Sequence, residues 1–260
     1  MSKPEKSSIQ VLLFTGIILV ISSLLLSAAS EGLKSRKQAN VKLDKQRNIL
    51  KAFNVDLGAK PTAAGITKAY TTIESVVVDS TGTAIEGADI TKLDLAKKLQ
   101  NQYKLLLSEE KGTVLSEEET AGIQLPVYQL RGDDGTIAAY AIPIVGDGLW
   151  GRIFGYVSLD SDLNTLRGIT FYSHKETPGL GAEITEPWFQ QNFVGKAVRD
   201  IEGTFQSVKV MKPGMADEDS LHEVDGISGA TITSDGVTDM LKLYLQAYGS
   251  YFEKIRKGDR

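Results

Sequence analysis

From Ile9 to Ala29 the chain runs without a single charged side chain, and this is its longest apolar stretch. As a helix rising about 1.5 Å per residue, it covers roughly 30 Å, the hydrocarbon thickness of a bilayer. The pattern predicts a transmembrane anchor over residues 9–29 behind a short polar head at residues 1–8. Ser27-Ala28-Ala29 would also suit signal-peptide cleavage. An apolar core this long exceeds the about 7–15 residues of a signal sequence, so an uncleaved anchor is the expectation. From Glu31 to about Lys51, Leu33, Val41, Leu43, Ile49 and Leu50 recur at helical intervals among charged residues, which predicts a juxtamembrane helix.

Beyond it the texture shortens. Gly58, Pro61 and Gly65 mark a loop over Asp56–Gly65. Ile73–Val78 reads as a strand, and Thr91–Leu107, with Leu95, Leu99, Tyr103 and Leu106, as an amphipathic helix. Glu117-Glu118-Glu119 reads as a solvated acidic run. From Leu125 onward, short strands alternate with turns. Val127–Leu130 is followed by Asp133-Asp134-Gly135, a hairpin signal, and a returning strand over Thr136–Val145. Gly146-Asp147-Gly148 reads as the next turn, Gly151–Leu159 as a strand, Asp160-Ser161-Asp162 as a turn, and Leu166–Tyr172 as a further strand. Strands joined by such tight turns pair antiparallel. A last strand falls at Ser207–Met211. Then Val237, Met240, Leu241, Tyr244, Tyr248 and Phe252 follow spacings of three and four along one helix. The pattern predicts an α+β fold: a twisted antiparallel sheet with flanking helices, preceded by one N-terminal transmembrane helix. Residues 30–124 would hold the juxtamembrane helix and an α/β subdomain, and residues 125–260 the main domain.

Composition narrows the chemistry. The 260 residues carry 42% hydrophobic and 24% charged side chains, ordinary for a globular chain. A net charge of -4 provides no basic footprint, so no nucleic-acid partner is expected. There is no cysteine, which excludes disulfides and cysteine-ligated zinc or iron–sulfur centres, and with two histidines no metal site is expected. His174 and His222 have no spaced partner and receive no catalytic role.

The candidate chemistry sits in Asp225-Gly226-Ile227-Ser228-Gly229-Ala230-Thr231-Ile232-Thr233-Ser234, a glycine-bearing turn leading into the last helix. Hydroxyls crowd a helix end whose unpaired N–H groups and partial positive charge suit a phosphate. The plain alternative is a capped helix with surplus hydroxyls, since Ser, Thr and Asp are favoured caps. A second constellation, Glu176-Thr177-Pro178-Gly179-Leu180-Gly181, is a tight turn between a strand and a helix. Trp188 and Phe189 follow it as core candidates. A third is Gly148-Leu149-Trp150-Gly151, whose Trp is either a core plug or a planar surface facing a ring. Lys209 and Lys212 flank the last strand and would suit a phosphate or simple solvent exposure.

The run Asp-Gly-Ile-Ser-Gly-Ala-Thr at residues 225–231 resembles the flavinylation motif of FMN-binding domains, and Glu-Thr-Pro-Gly-Leu-Gly and Gly-Leu-Trp resemble that family's other recurring loops. With the anchor, the chain is similar to the NqrC family of sodium-pumping NADH:quinone oxidoreductases, firmly over residues 141–246. The resemblance implies FMN held covalently through a phosphoester to Thr231. It implies cofactor contacts from Asp225, Ser228, Gly229 and Ala230, from Glu176, Thr177, Leu180 and Gly181, and from Trp150, within an FMN-binding domain at residues 125–260. It implies an electron carrier without catalysis of its own, acting in a membrane complex that oxidises NADH, reduces quinone and moves Na⁺. Its partners would be the other subunits and a flavin transferase that uses FAD. The head would be cytoplasmic, and the main domain would lie on the periplasmic side of a bacterial inner membrane. The Lys/Arg count points the other way: Lys34, Arg36, Lys37, Lys42, Lys45 and Arg47 follow the span, against Lys3 and Lys6 before it. Two other readings stand beside this one: a shorter electron carrier like the G-type component of Rnf complexes, and an anchored binding or assembly domain without cofactor.

Overall fold

The computed structural model describes residues 8–88, 90 and 95–258. The first residues of the head and of the helix expected from Thr91 lie outside the described residues. The chain divides into two units, Met1–Lys45 and Gln46–Arg260. A single helix α1, Ser8–Ala52, runs through both, so the anchor and the juxtamembrane helix are one element. Among the described residues it is the one helix long and apolar enough to cross a membrane. Val11 to Leu26 leave their large apolar side chains exposed.

The second unit is α+β. A helix α2 (Ala63–Ala69), capped by Thr62, leads into strand β1 (Ile73–Val78). Helices α3 (Leu95–Glu110) and α4 (Glu117–Ala121) follow. The acidic run thus starts a helix, because Ser116 and Glu119 close a capping box. Strands β2 (Leu125–Arg131), β3 (Ile137–Asp147), β4 (Arg152–Asp160) and β5 (Leu166–Ser173) complete a five-stranded antiparallel sheet in sequential order. Then come α5 (Pro187–Gln191), the parallel pair β6 (Lys209–Met211) and β7 (Glu223–Asp225), α6 (Thr231–Ala247) and α7 (Gly249–Lys257). The last apolar helix is therefore two helices, broken at Tyr248.

Both faces of the sheet are covered, so β3 is buried from Ala139 to Gly146, half-buried at Ile137 and Ala138 and exposed only at Asp147. On one face Tyr140, Ile142, Ile144 and Val157 pack with Val237, Met240, Leu241 and Tyr244 of α6 and Leu99 and Tyr103 of α3. On the other, Tyr128, Ala139, Ala141 and Tyr156 pack with Ile49, Ala52 and Phe53 from the end of α1. The backbone of that end is tied down as well. Ser158 Oγ donates to the Ala52 carbonyl at 2.5 Å, and Arg167 Nε to that of Phe53 at 2.8 Å.

The β3–β4 hairpin carries Trp150 at its tip. Its pairing extends to Asp147 opposite Arg152, two residues past the expected strand end at Val145 and into the expected turn, and Gly148 N–H donates to the Gly151 carbonyl at 2.8 Å. Arg152 pairs with Asp147, its guanidinium stacks 4.3 Å from the Tyr103 ring centre, and the Tyr103 hydroxyl donates to Asp147 at 3.1 Å. Burial and the neighbouring Asp147 push the Tyr103 phenol up to about 12, which keeps it a donor. The hairpin tip is thereby fixed against α3.

Candidate functional site

Three loops converge on the N-terminus of α6. Thr231 is the first helical residue and is exposed. The position before it is Ala230, in a non-helical conformation, and no side chain caps the helix. The hydroxyl-capped alternative therefore does not hold: Ser228 stands exposed in the preceding turn, and α6 presents an uncapped positive end beside Thr231. Gly229 has φ 73°, in the left-handed region, and the Leu180 side chain lies so close that an added Cβ would sit 3.0 Å from it. The second motif loop thus touches the first.

Glu176 joins all three loops. It is 5% exposed, and its side chain accepts the Trp150 N–H at 2.9 Å, the Leu149 N–H at 3.3 Å and the Thr233 hydroxyl. Its own N–H donates to His174 Nδ1 at 3.1 Å, so His174 shapes the loop. A Cβ at Gly148 would lie 2.5 Å from Glu176 Oε1, and one at Gly181 would lie 2.6 Å from both Glu176 Oε2 and Thr233 Oγ1. The glycines flanking this carboxylate leave the room it needs to be hydrogen-bonded on all sides. Thr177 is exposed, and its carbonyl accepts the N–H groups of Leu180 and Ala182 at 3.1 and 3.2 Å. Trp150 is 63% exposed, which excludes the core plug; Phe189 is buried, whereas the neighbouring Trp188 is exposed.

Asp225 works on the opposite flank. Its Oδ1 accepts the N–H groups of Met215 and Ala216, each at 3.1 Å, and so holds the loop after β6. Between that loop and α6 lies a cavity of about 270 Å³ lined by Lys209, Met211, Lys212, Met215, Thr231 and Ser234, among others. Ser234 is 4% exposed, and its Oγ has no hydrogen-bond partner. Its sequence neighbour Thr233, 1% exposed, donates to Glu176. The sequence places Thr233 among the hydroxyls at the helix end without pointing to a role for it, and it gives no sign of the cavity. The only signal for Thr233 is the excess of hydroxyls over what one helix cap uses.

An uncapped helix end, an orphaned buried hydroxyl and a glycine-lined turn fit a phosphate-bearing group at Thr231. Residues 148–246 match the FMN-binding domain family. The chain is 34% identical to the C subunit of Na(+)-translocating NADH-quinone reductase from Yersinia pestis, covering 95% of this chain and 92% of the relative. It is 36% identical to the protein of the same name from Vibrio campbellii, covering 92% of each. Among solved structures, the C subunit of the same reductase from Parabacteroides distasonis superposes with a TM-score of 0.66 at 35% identity, over 85% of this chain and 96% of the other. Shewanella oneidensis NqrC superposes with a TM-score of 0.67 at 25% identity, over 84% and 99%.

Proposed function

Because the chain belongs to the NqrC family of Na(+)-translocating NADH-quinone reductases, we propose that it is an electron-transfer subunit of such a complex and carries FMN esterified through its phosphate to the Thr231 hydroxyl. The observation that carries this reading is the placement of Thr231, an exposed hydroxyl on the first residue of a 17-residue helix whose positive end no side chain caps. Bound FMN would supply the redox chemistry. Thr231 tethers the group, and the helix end stabilises the phosphate charge. Ser228, Gly229 and Ala230 shape the turn that presents it. On one flank Glu176 fixes the backbone of Leu149 and Trp150, and with Thr177 and Gly181 it sets the loop that carries Leu180. The exposed side chains of Trp150, Leu180 and Ile232 then offer apolar surface to a ring. On the other flank Asp225 holds the loop after β6.

The complex would move Na⁺. The span 9–29 contributes no ionisable residue of the kind that lines ion paths, so that path belongs to partner subunits. In this reading α1 crosses the bacterial inner membrane once, the head stays in the cytoplasm, and the FMN domain faces the periplasm, where a flavin transferase using FAD loads it.

The test is the intact mass of the denatured protein after export alongside a flavin transferase. The expected gain equals FMN minus water and is absent from Thr231→Ala. A gain that survives in Thr231→Ala moves the attachment site. No gain at all, with the transferase active on a control substrate, leaves an anchored binding or assembly domain.

A further inference from the structure

The cavity between α6 and the loop after β6 has a composition that Thr231 alone does not explain. Thr231, Ser234 and Asp235 lie on one face of the first turn of α6, and Lys209 and Lys212 face them from β6 and its loop. Two ammonium groups against one carboxylate give the cavity an excess of positive charge, which one phosphodiester anion would cancel. The uncapped end of α6 adds partial positive charge of its own. The Ser234 hydroxyl is buried in this wall without a partner, although its neighbour Thr233 is fully engaged. An orphaned hydroxyl is costly unless something satisfies it. The remaining wall, Val210, Met211, Pro213, Met215 and Ile227, is apolar and suits a carbon chain.

We propose that this cavity is the seat of the phosphoryl group carried at Thr231, with Lys209 and Lys212 as its counter-charges and Ser234 Oγ as its neutral hydrogen-bond donor. The inference rests on the covalent reading above and deepens it. The flavin's phosphate is held on the β6 side of α6, away from the Glu176 side, and Asp225 serves the site indirectly by fixing the loop that carries Lys212. Asp235 opposes the anion, so its neutralisation acts in the opposite sense to loss of the lysines.

The experiment uses full-length protein loaded by a flavin transferase, read by intact mass and by the ³¹P resonance of the attached ester, before and after unfolding. In the wild type the folded resonance stands apart from the unfolded one and is insensitive to added salt. In the Lys209→Ala/Lys212→Ala double variant it moves most of the way to the unfolded position and becomes salt-sensitive, with loading slowed roughly three- to tenfold. Ser234→Ala shifts it by a smaller amount. Asp235→Asn leaves it in the folded position and speeds loading by about threefold. Far-UV circular dichroism verifies that each variant is folded, and both lysines are exposed, so their loss leaves the core intact. A wild-type resonance that coincides with the unfolded one, or a double variant that leaves it unmoved, overturns the proposal even though the protein is flavinylated. If the wild type gains no FMN mass, the covalent reading fails first, and the cavity is then titrated with inorganic phosphate while the amide resonances of Lys212 and Ser234 are followed. Saturable shifts that the double variant loses keep the anion site; their absence overturns it.

Discussion

Thr233 and Ser234 are adjacent hydroxyl residues in the first turn of one helix, both buried, and they meet opposite surroundings. Thr233 points to the flank where Glu176 gathers donors from the β3–β4 tip and from α6. Ser234 points to the flank where a cavity lies beneath two lysines, and its Oγ is unpaired. The first flank is complete without a ligand, since a buried carboxylate there has a donor on every side. The second is chemically incomplete: it has positive charge, an open volume and a hydroxyl with nothing to bond. The contrast separates bracing from reception at a single helix end. A braced flank keeps its geometry while a group is attached and oxidised or reduced, and an incomplete flank gains from having a group there.

The largest expected effect comes from breaking the brace. Glu176→Ala leaves two N–H groups and the Thr233 hydroxyl without their acceptor, and urea unfolding should show a loss of about 3 kcal/mol. Glu176→Gln, which retains the size and part of the bonding, should lose about 1–2 kcal/mol. A Glu176→Ala protein with the wild-type midpoint and slope would mean that the three loops hold together by packing alone. Next comes Thr233→Val, which keeps the shape but removes one donor from the carboxylate, for an expected cost of about 1–2 kcal/mol. The smallest is Ser234→Ala in the flavin-free protein. It removes a hydroxyl that bonds nothing, so stability should stay within about 0.5 kcal/mol of wild type or rise. Equal costs for Thr233→Val and Ser234→Ala, measured side by side, would erase the distinction between the two flanks.

Much of this was legible in the chain. The anchor is readable because a bilayer demands only length and an unbroken apolar run, and both are properties of consecutive residues. The sheet is readable because Asp133-Asp134-Gly135 and Asp160-Ser161-Asp162 mark turns between short apolar runs, which are buried nearly throughout because both faces of the sheet are covered. The face of α6 is readable from Val237, Met240, Leu241 and Tyr244. Its end is not, because the same spacing carries through Tyr248 to Phe252, and the break between α6 and α7 leaves the apolar pattern intact. The capping box at Ser116 and Glu119 was present in the letters but hidden among three consecutive glutamates. Strand β7 is three residues long and pairs in parallel with β6, too short for any period to show.

The sequence by itself determined the local things: where the chain turns, which faces are apolar, which segment suits a membrane, and which short runs resemble a flavin-carrying family. Those depend on steric preference and on the period of side chains along the backbone, both of which act over a few residues. Only the tertiary structure decided that Glu176 is a buried clamp reaching a hairpin tip 26 residues away and a helix 57 residues away. It alone decided that Trp150 is exposed, that Asp225 holds a loop, and that neighbouring hydroxyls serve different flanks. The direction of a side chain across a fold is set by what packs against it from distant parts of the chain, and no local pattern encodes that.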